Sequence, residues 1–217
     1  MVRSNIVNPV SSKMAAMPSV CRPASPIGLC AFCSALNLFN LLEPMPTMSL
    51  TDQLAQLNIS VETITQRGLR EYIEAADLVL VEVAVDGREH LLTPTAAAAW
   101  RALKVAALGD GMTLVMVSSF RSVQRQYEII QAKLSAGQLI DDILLSVAPP
   151  GYSEHHTGCA IDIATPDHPL LEISFAHTAE FAWLTQNAGR FGFTLSFPEG
   201  NVAGYQYEPW HWCFHYR

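Results

Sequence analysis

Ser153-Glu154-His155-His156-Thr157-Gly158-Cys159-Ala160-Ile161-Asp162 is the stretch on which the reading of this chain turns. Pro149-Pro150-Gly151 breaks the chain just before it. Cys159 to Ala164 alternates and is rich in strand formers, so His155 falls in a turn and Asp162 on the strand that follows. Ala160 and Asp162 then share one face, with Cys159 and Ile161 on the other. Near the carboxyl end, Glu208-Pro209-Trp210-His211 answers this stretch, and 209–216 reads as the last strand. Together they supply two histidines, an aspartate and a free glutamate. That is the minimum for a catalytic zinc site: three protein ligands, a fourth position open to water, and a base that does not touch the metal. Imidazole and carboxylate hold zinc tetrahedrally, and ligands on neighbouring strands are held rigidly. Glu208 lies three residues before His211 with Pro209 fixing the bend, which lets it lean over the metal and take a proton from water.

Outward from this stretch the chain alternates helices and short strands. Residues 49–76 are predicted helical, with Ser60 as an N-cap and Leu69, Tyr72 and Ile73 at helical spacing. Leu78 to Val85 reads as a strand ending at the Asp86-Gly87 turn. Thr93-Pro94 starts a helix that runs through Ala96–Ala107 and stops at Gly109. Met112 to Val117 is a buried strand that delivers Ser118-Ser119-Phe120-Arg121. Ser122 caps a helix carrying Gln126, Tyr127, Ile130 and Leu134 to a stop at Gly137, and a short helix covers 138–146. Phe175 to Ala188 reads as an amphipathic helix and Phe191 to Phe197 as a strand. There is no internal repeat.

The chain has 217 residues, half of them hydrophobic and 15% charged, which is enough for one medium domain with a real core. Its net charge of −7 argues against a nucleic-acid partner, which shows as a basic face. Five cysteines, sparse and odd in number, are not a disulfide framework. Cys30 and Cys33 form a lone pair with no second one to complete a zinc site, and Cys213 reads as a small buried hydrophobe. Residues 1–47 differ from the rest, with six prolines, one acidic residue and an apolar run from Ile27 to Leu42. Two readings stand for them: a secretory leader, or a disordered extension upstream of a start at Met48. The run is interrupted by Asn37 and Asn40 and is too short for a membrane span. Residues 48–217 form the expected catalytic domain.

Several short motifs in order carry a resemblance. Ser153-x-His155-x-x-Gly158-x-Ala160-x-Asp162 with Glu208-Pro209-Trp210-His211 resembles the zinc D-alanyl-D-alanine carboxypeptidases of the vancomycin-resistance type. These belong to a wider group with lysostaphin-type peptidases and the hedgehog signalling domain. Ser118-Ser119-Phe120-Arg121-Ser122, Trp183-Leu184-x-x-Asn187-Ala188 and Phe191-Gly192-Phe193 extend the likeness over roughly 90–216. It implies an α+β fold, in which helices flank a small antiparallel sheet that carries the zinc site. It implies Zn2+ on His155, Asp162 and His211, with Glu208 as catalytic base. It also implies that Arg121 polarises or holds the substrate, and that Gln126 and Ser153 contact the peptide near its terminal carboxylate. The spacing to Gly158 and Asp162 favours His155 over His156, which reads as a supporting or surface residue. His90, His168, His177 and His215 read as surface or structural, and Trp210 and Trp212 as strand aromatics of the core.

The expected activity is hydrolysis of the C-terminal D-alanine from peptidoglycan stem peptides, by a monomer with no stable membrane span. Action in the cell envelope follows if residues 1–47 are a leader, and cytoplasmic action if they are not. Removal of D-alanine after an L-centre, murein endopeptidase action, and a zinc-containing module that only binds cell-wall peptide are the alternatives. Nothing in the sequence separates the specificities, because they lie in pocket shape.

Overall fold

The computed structural model describes residues 48–216. The readings of residues 1–47, including the Cys30/Cys33 pair, lie outside the described residues. The elements, in chain order, are α1 (Leu50–Gln56), α2 (Val61–Gln66), β1 (Val79–Val83), β2 (Glu89–Leu92), α3 (Pro94–Gly109), β3 (Val115–Ser118), α4 (Val123–Ser135), α5 (Ile140–Ile143), β4 (Ala160–Ala164), α6 (Ala179–Asn187), β5 (Phe193–Leu195) and β6 (His211–Phe214). One antiparallel sheet has the order β3-β4-β6-β5, and β1 and β2 form a separate hairpin. Among the described residues this is an α+β fold, as expected.

The long helix expected over 49–76 is instead two short ones followed by an irregular arm. Asn58 takes a left-handed φ of 56° after α1, and Gly68 one of 58° after α2, and each stops its helix. Ser49 and Ser60 cap these helices through their hydroxyls, a device worth about 1 kcal/mol each. Beyond Gly68 the backbone donors go elsewhere. The amide of Tyr72 donates to the Gly151 carbonyl at 2.7 Å, and that of Ala75 to the His156 carbonyl at 2.8 Å. The helix expected over 175–188 is also broken: Ile173–His177 is a 3-10 turn, and Thr178, in extended conformation, caps α6. The α5 helix and strands β3, β5 and β6 are shorter than expected, and β2 was not foreseen.

Two apolar clusters support the sheet. The larger fills the space behind it. On the back face Met116, Ile161, Ile163 and Trp212 meet α3 and α6. Helix α3 offers Ala96, Trp100, Leu103 and Ala107 at helical spacing, and its small alanines allow close approach to the strands. The smaller cluster joins Leu54, Leu57, Ile59 and Ile64 to Tyr127 and Ile130 of α4 and to Ile143 and Leu144 at the end of α5. This inner face pins α4 beside the sheet and leaves another face free.

Candidate metal centre and active site

Register decides where the polar side chains of the sheet go. Ser118 on β3 pairs with Asp162 on β4, and Asp162 pairs with His211 on β6. Directly paired residues of antiparallel strands point to the same side, so these three stand in a row on the front face. A bulge between Met116 and Ser118 in β3 brings Ser118 into that row. His155 arrives from a 3-10 turn, Glu154–Thr157, that Ser153 caps and Gly158 ends with a φ of 63°. A side chain at Gly158 would meet Leu78 and the Thr93 backbone, so only glycine fits.

His155 Nε2 lies 3.2 Å from one Asp162 oxygen, and His211 Nδ1 lies 3.0 Å from the other. One ligand atom from each of the three side chains falls within 4.8 Å of the others, and all three are buried. The outer nitrogens are also held. His155 Nδ1 faces the Ser119 carbonyl at 2.7 Å, and His211 Nε2 faces Glu154 Oε2 at 3.0 Å. Glu154 in turn accepts a hydrogen bond from Ser196 Oγ at 2.6 Å.

These outer contacts test whether a metal fits. A carbonyl can only accept, so His155 must carry its hydrogen on Nδ1. Its Nε2 lone pair therefore faces a carboxylate oxygen, two acceptors that require a cation between them. Burial first and the Arg121 charge second lower the His155 pKa to about 4, so a proton does not serve there near neutral pH. His211 is different. Burial opposes its charge, but hydrogen bonds to Asp162 and Glu154 outweigh it and raise the pKa to about 10. Asp162 stays ionised despite burial, because both histidines pull its pKa well down. Two imidazoles and a carboxylate converging on a place that favours positive charge are a donor set for zinc. Outer partners on both histidines are what such a set needs for fixed ring orientation.

Glu208 lines the same cleft, whose volume is about 730 Å³. It is 6% exposed, and among the described residues its carboxylate takes no hydrogen bond. Burial pushes its pKa up to about 7, with Asp162 and Glu154 adding to the rise and His211 and Arg121 opposing it. Arg121 donates to Gln126 Oε1 at 3.0 Å and to Ser118 Oγ at 3.3 Å, and its NH2 lies 3.7 Å from Asp162.

The other candidates have fixed places. Gln126 is 1% exposed and both ends of its amide are engaged, one by Arg121 and the other by the Ala148 carbonyl at 2.7 Å. Its contacts are therefore to Arg121 and the 148 loop. Ser153 lines the cleft, and its hydroxyl accepts from the His155 amide. His156 is fully buried, so it is not a surface residue. Its Nε2 accepts from the Gly151 amide at 3.1 Å, and its Nδ1 donates to the Arg121 carbonyl at 2.6 Å. Cys213 is buried, as a small hydrophobe should be, and Trp212 joins the core, while Trp210 lines the cleft. His90 is buried at the cleft wall, with Nδ1 at 3.3 Å from Ser119 Oγ.

The hold of Glu154 on His211 is what the sequence did not reveal. A carboxylate beside a ligand was visible, but its partner lies fifty-seven residues on and is met only through the sheet. Phe197 was missed too. Its ring packs on His211 with centroids 4.8 Å apart, and on Tyr205 at 4.6 Å.

This constellation on this fold defines a class, α+β domains with a buried two-histidine, one-aspartate metal centre, and comparison supplies the family. The family described as VanY, D-alanyl-D-alanine carboxypeptidase, matches residues 89–217, and the chain belongs to it. The putative carboxypeptidase YodJ of Bacillus subtilis (strain 168) is 33% identical over 162 residues, covering 71% of this chain and 59% of that protein. The chain thus spans about three-fifths of that relative's length. The solved structure of the LdcB LD-carboxypeptidase aligns with a TM-score of 0.58 at 33% identity, covering 65% of this chain and 69% of that one. A mutant of the vancomycin-resistance D,D-pentapeptidase VanY in complex with Zn(II) aligns with a TM-score of 0.52 at 27% identity, covering 67% and 84%. Among the described residues no helix is long and apolar enough to cross a membrane.

Proposed function

We propose that this protein is a zinc-dependent carboxypeptidase that removes the terminal D-alanine of peptidoglycan stem peptides. One observation carries the reading. His155, Asp162 and His211 converge on one buried point, and Glu208, whose carboxylate takes no hydrogen bond among the described residues, shares their cleft. His155, Asp162 and His211 hold the zinc. When bound, zinc supplies Lewis acidity toward the scissile carbonyl and acidifies a water molecule. Glu208 takes the proton of the attacking water and returns it to the leaving amine. A pKa raised to about 7 suits a group that must do both near neutral pH. Arg121, held by Gln126 and Ser118, presents its guanidinium to the oxyanion that forms as water adds, or to the terminal carboxylate. Gln126 acts through Arg121, and Ser153 acts through the turn that carries His155. Glu154 holds the outer nitrogen of His211 and thereby orients the ring.

The likeness to an LD-carboxypeptidase supports a second specificity, release of D-alanine after an L-centre. Mass spectrometry of synthetic tetra- and pentapeptide stems incubated with the zinc-loaded protein separates the two. Loss of one alanine from the pentapeptide is the expected result, and loss from the tetrapeptide alone replaces it with the second reading. Tight binding with no turnover of either peptide would mean a binding module and overturn both. On this reading the protein works as a monomer in the cell envelope, where such a substrate lies.

A further inference from the structure

The cleft is not uniform in charge. Glu154, Asp162 and Glu208 gather at the His155–His211 end with one guanidinium, that of Arg121. Elsewhere the lining turns basic: Arg88, Arg125 and Lys133 stand against one carboxylate, Glu89. This occurs in a chain whose net charge is −7, so the basic wall runs against the balance of the molecule. Two of its cations lie on α4. Arg125, Ile129 and Lys133 follow one another at four-residue steps, which puts them on one stripe of the helix. The opposite stripe, with Tyr127 and Ile130, is buried in the smaller core, so this wall is firmly seated.

Helix α4 begins next to Arg121 and runs away from it. From Arg125 to Lys133 the helix advances about 12 Å. An extended peptide covers that distance in three to four residues, at about 3.4 Å each. Arg88 is paired with Asp86 at 2.6 Å, but the two cations on α4 are little committed. Arg125 pairs only with Glu128, three residues on, and both are largely exposed, so the pair holds weakly. The Lys133 ammonium has no ion pair or hydrogen bond among the described residues. Ile129, half-buried between them, offers apolar contact for an aliphatic segment.

We propose that the α4 wall is a second recognition subsite, in which Lys133, with Arg125 adding its charge on the approach to it, takes a carboxylate of the peptide about three residues to the amino side of the scissile bond. The proposal rests on the carboxypeptidase reading, since a carboxypeptidase leaves only the amino side of its substrate to extend along the cleft. Under it, the acidic floor handles the bond and the basic wall reads a side-chain carboxylate.

The test uses two peptides that end in D-alanyl-D-alanine and differ at one place. One carries a free carboxylate three residues before the scissile bond, and the other a carboxamide there. Calorimetry gives Kd and alanine release gives kcat and KM, both with the zinc-loaded wild type. The expected result is about fivefold lower Kd and KM for the carboxylate peptide with equal kcat, a preference that shrinks as salt rises. Lys133→Gln should halve that preference and R125A/K133A should abolish it, leaving the carboxamide peptide unaffected. Lys133→Arg should retain it. Equal affinity for the two peptides in the wild type overturns the subsite, as does a preference that survives in the double variant. If the wild type binds the carboxylate peptide better yet releases no alanine from either, the subsite stands and the carboxypeptidase reading falls.

Discussion

The floor of the cleft and its α4 wall are built in opposite ways. On the floor every polar atom of the two site histidines is engaged: His155 lies between Ser119 and Asp162, and His211 between Asp162 and Glu154. None of these four side chains' ring or carboxylate groups can turn without breaking a buried contact. On the wall the charged groups are half-exposed, weakly paired or unpaired, and anchored only through the helix that carries them. A metal needs ligands held to a fraction of an ångström, and a substrate side chain needs only a charge within reach. The difference therefore separates chemistry from selection: floor substitutions should change metal content and kcat, and wall substitutions KM.

The largest effect expected is loss of the metal. His155→Ala, Asp162→Ala and His211→Ala should each leave a protein whose zinc, measured by mass spectrometry of the dialysed protein, is a small fraction of one per chain. Full occupancy in His155→Ala would show that the floor is not the metal site. Next comes Glu208→Gln, which should keep the zinc and the thermal midpoint while kcat falls by about 10²–10³-fold. The same residue sets a pH dependence. Glu208 must be ionised to accept a proton, so kcat/KM should fall on acidification below about 7. The charge of a bound metal lowers that midpoint, and Glu208→Gln should remove the acid limb. A third, smaller effect is expected of Glu154→Gln, which keeps the shape but weakens the hold on His211. Zinc affinity, read by competition with a chelator, should drop by about 10- to 100-fold. If instead Glu154→Gln keeps full affinity and loses kcat as Glu208→Gln does, Glu154 is the base and the roles of the two glutamates are exchanged. The smallest floor effect should come from His156→Ala. It removes two buried hydrogen bonds and should cost about 2–3 kcal/mol of stability by denaturant unfolding while zinc still binds.

How much of this was legible in the sequence follows the same division. His155, Asp162, His211 and Glu208 stand in short local motifs, and the strand pattern around Asp162 predicted the sheet that carries them. Ser122 as the cap of α4 and Pro94 at the start of α3 were legible for the same reason: caps and first-turn prolines act within a few residues. The contacts of Glu154 and His156 were not, because their partners come from other parts of the chain. Gln126 stands as a substrate contact by resemblance alone, and its engagement at both ends, by Arg121 and by the Ala148 carbonyl, is visible only in the packing. The stretch from 67 to 76 reads as helix because Leu69, Tyr72 and Ile73 happen to fall at helical spacing. In the fold Ile73 is 89% exposed, so that spacing reports no buried face.

That arm lies outside the region matched to the family, residues 89–217, yet it is laced to the site. The Tyr72 and Ala75 amides bond to the carbonyls of Gly151 and His156, and Glu74 accepts from the amide of Val123 at the head of α4. Those two amides are thus natural reporters. Their exchange with deuterium can proceed only when the 151–156 loop lets go, so the rate reads the opening of the turn that carries His155. Loading the protein with zinc should slow exchange at both, and a fragment cut at residue 89 would lose both the reporters and the brace.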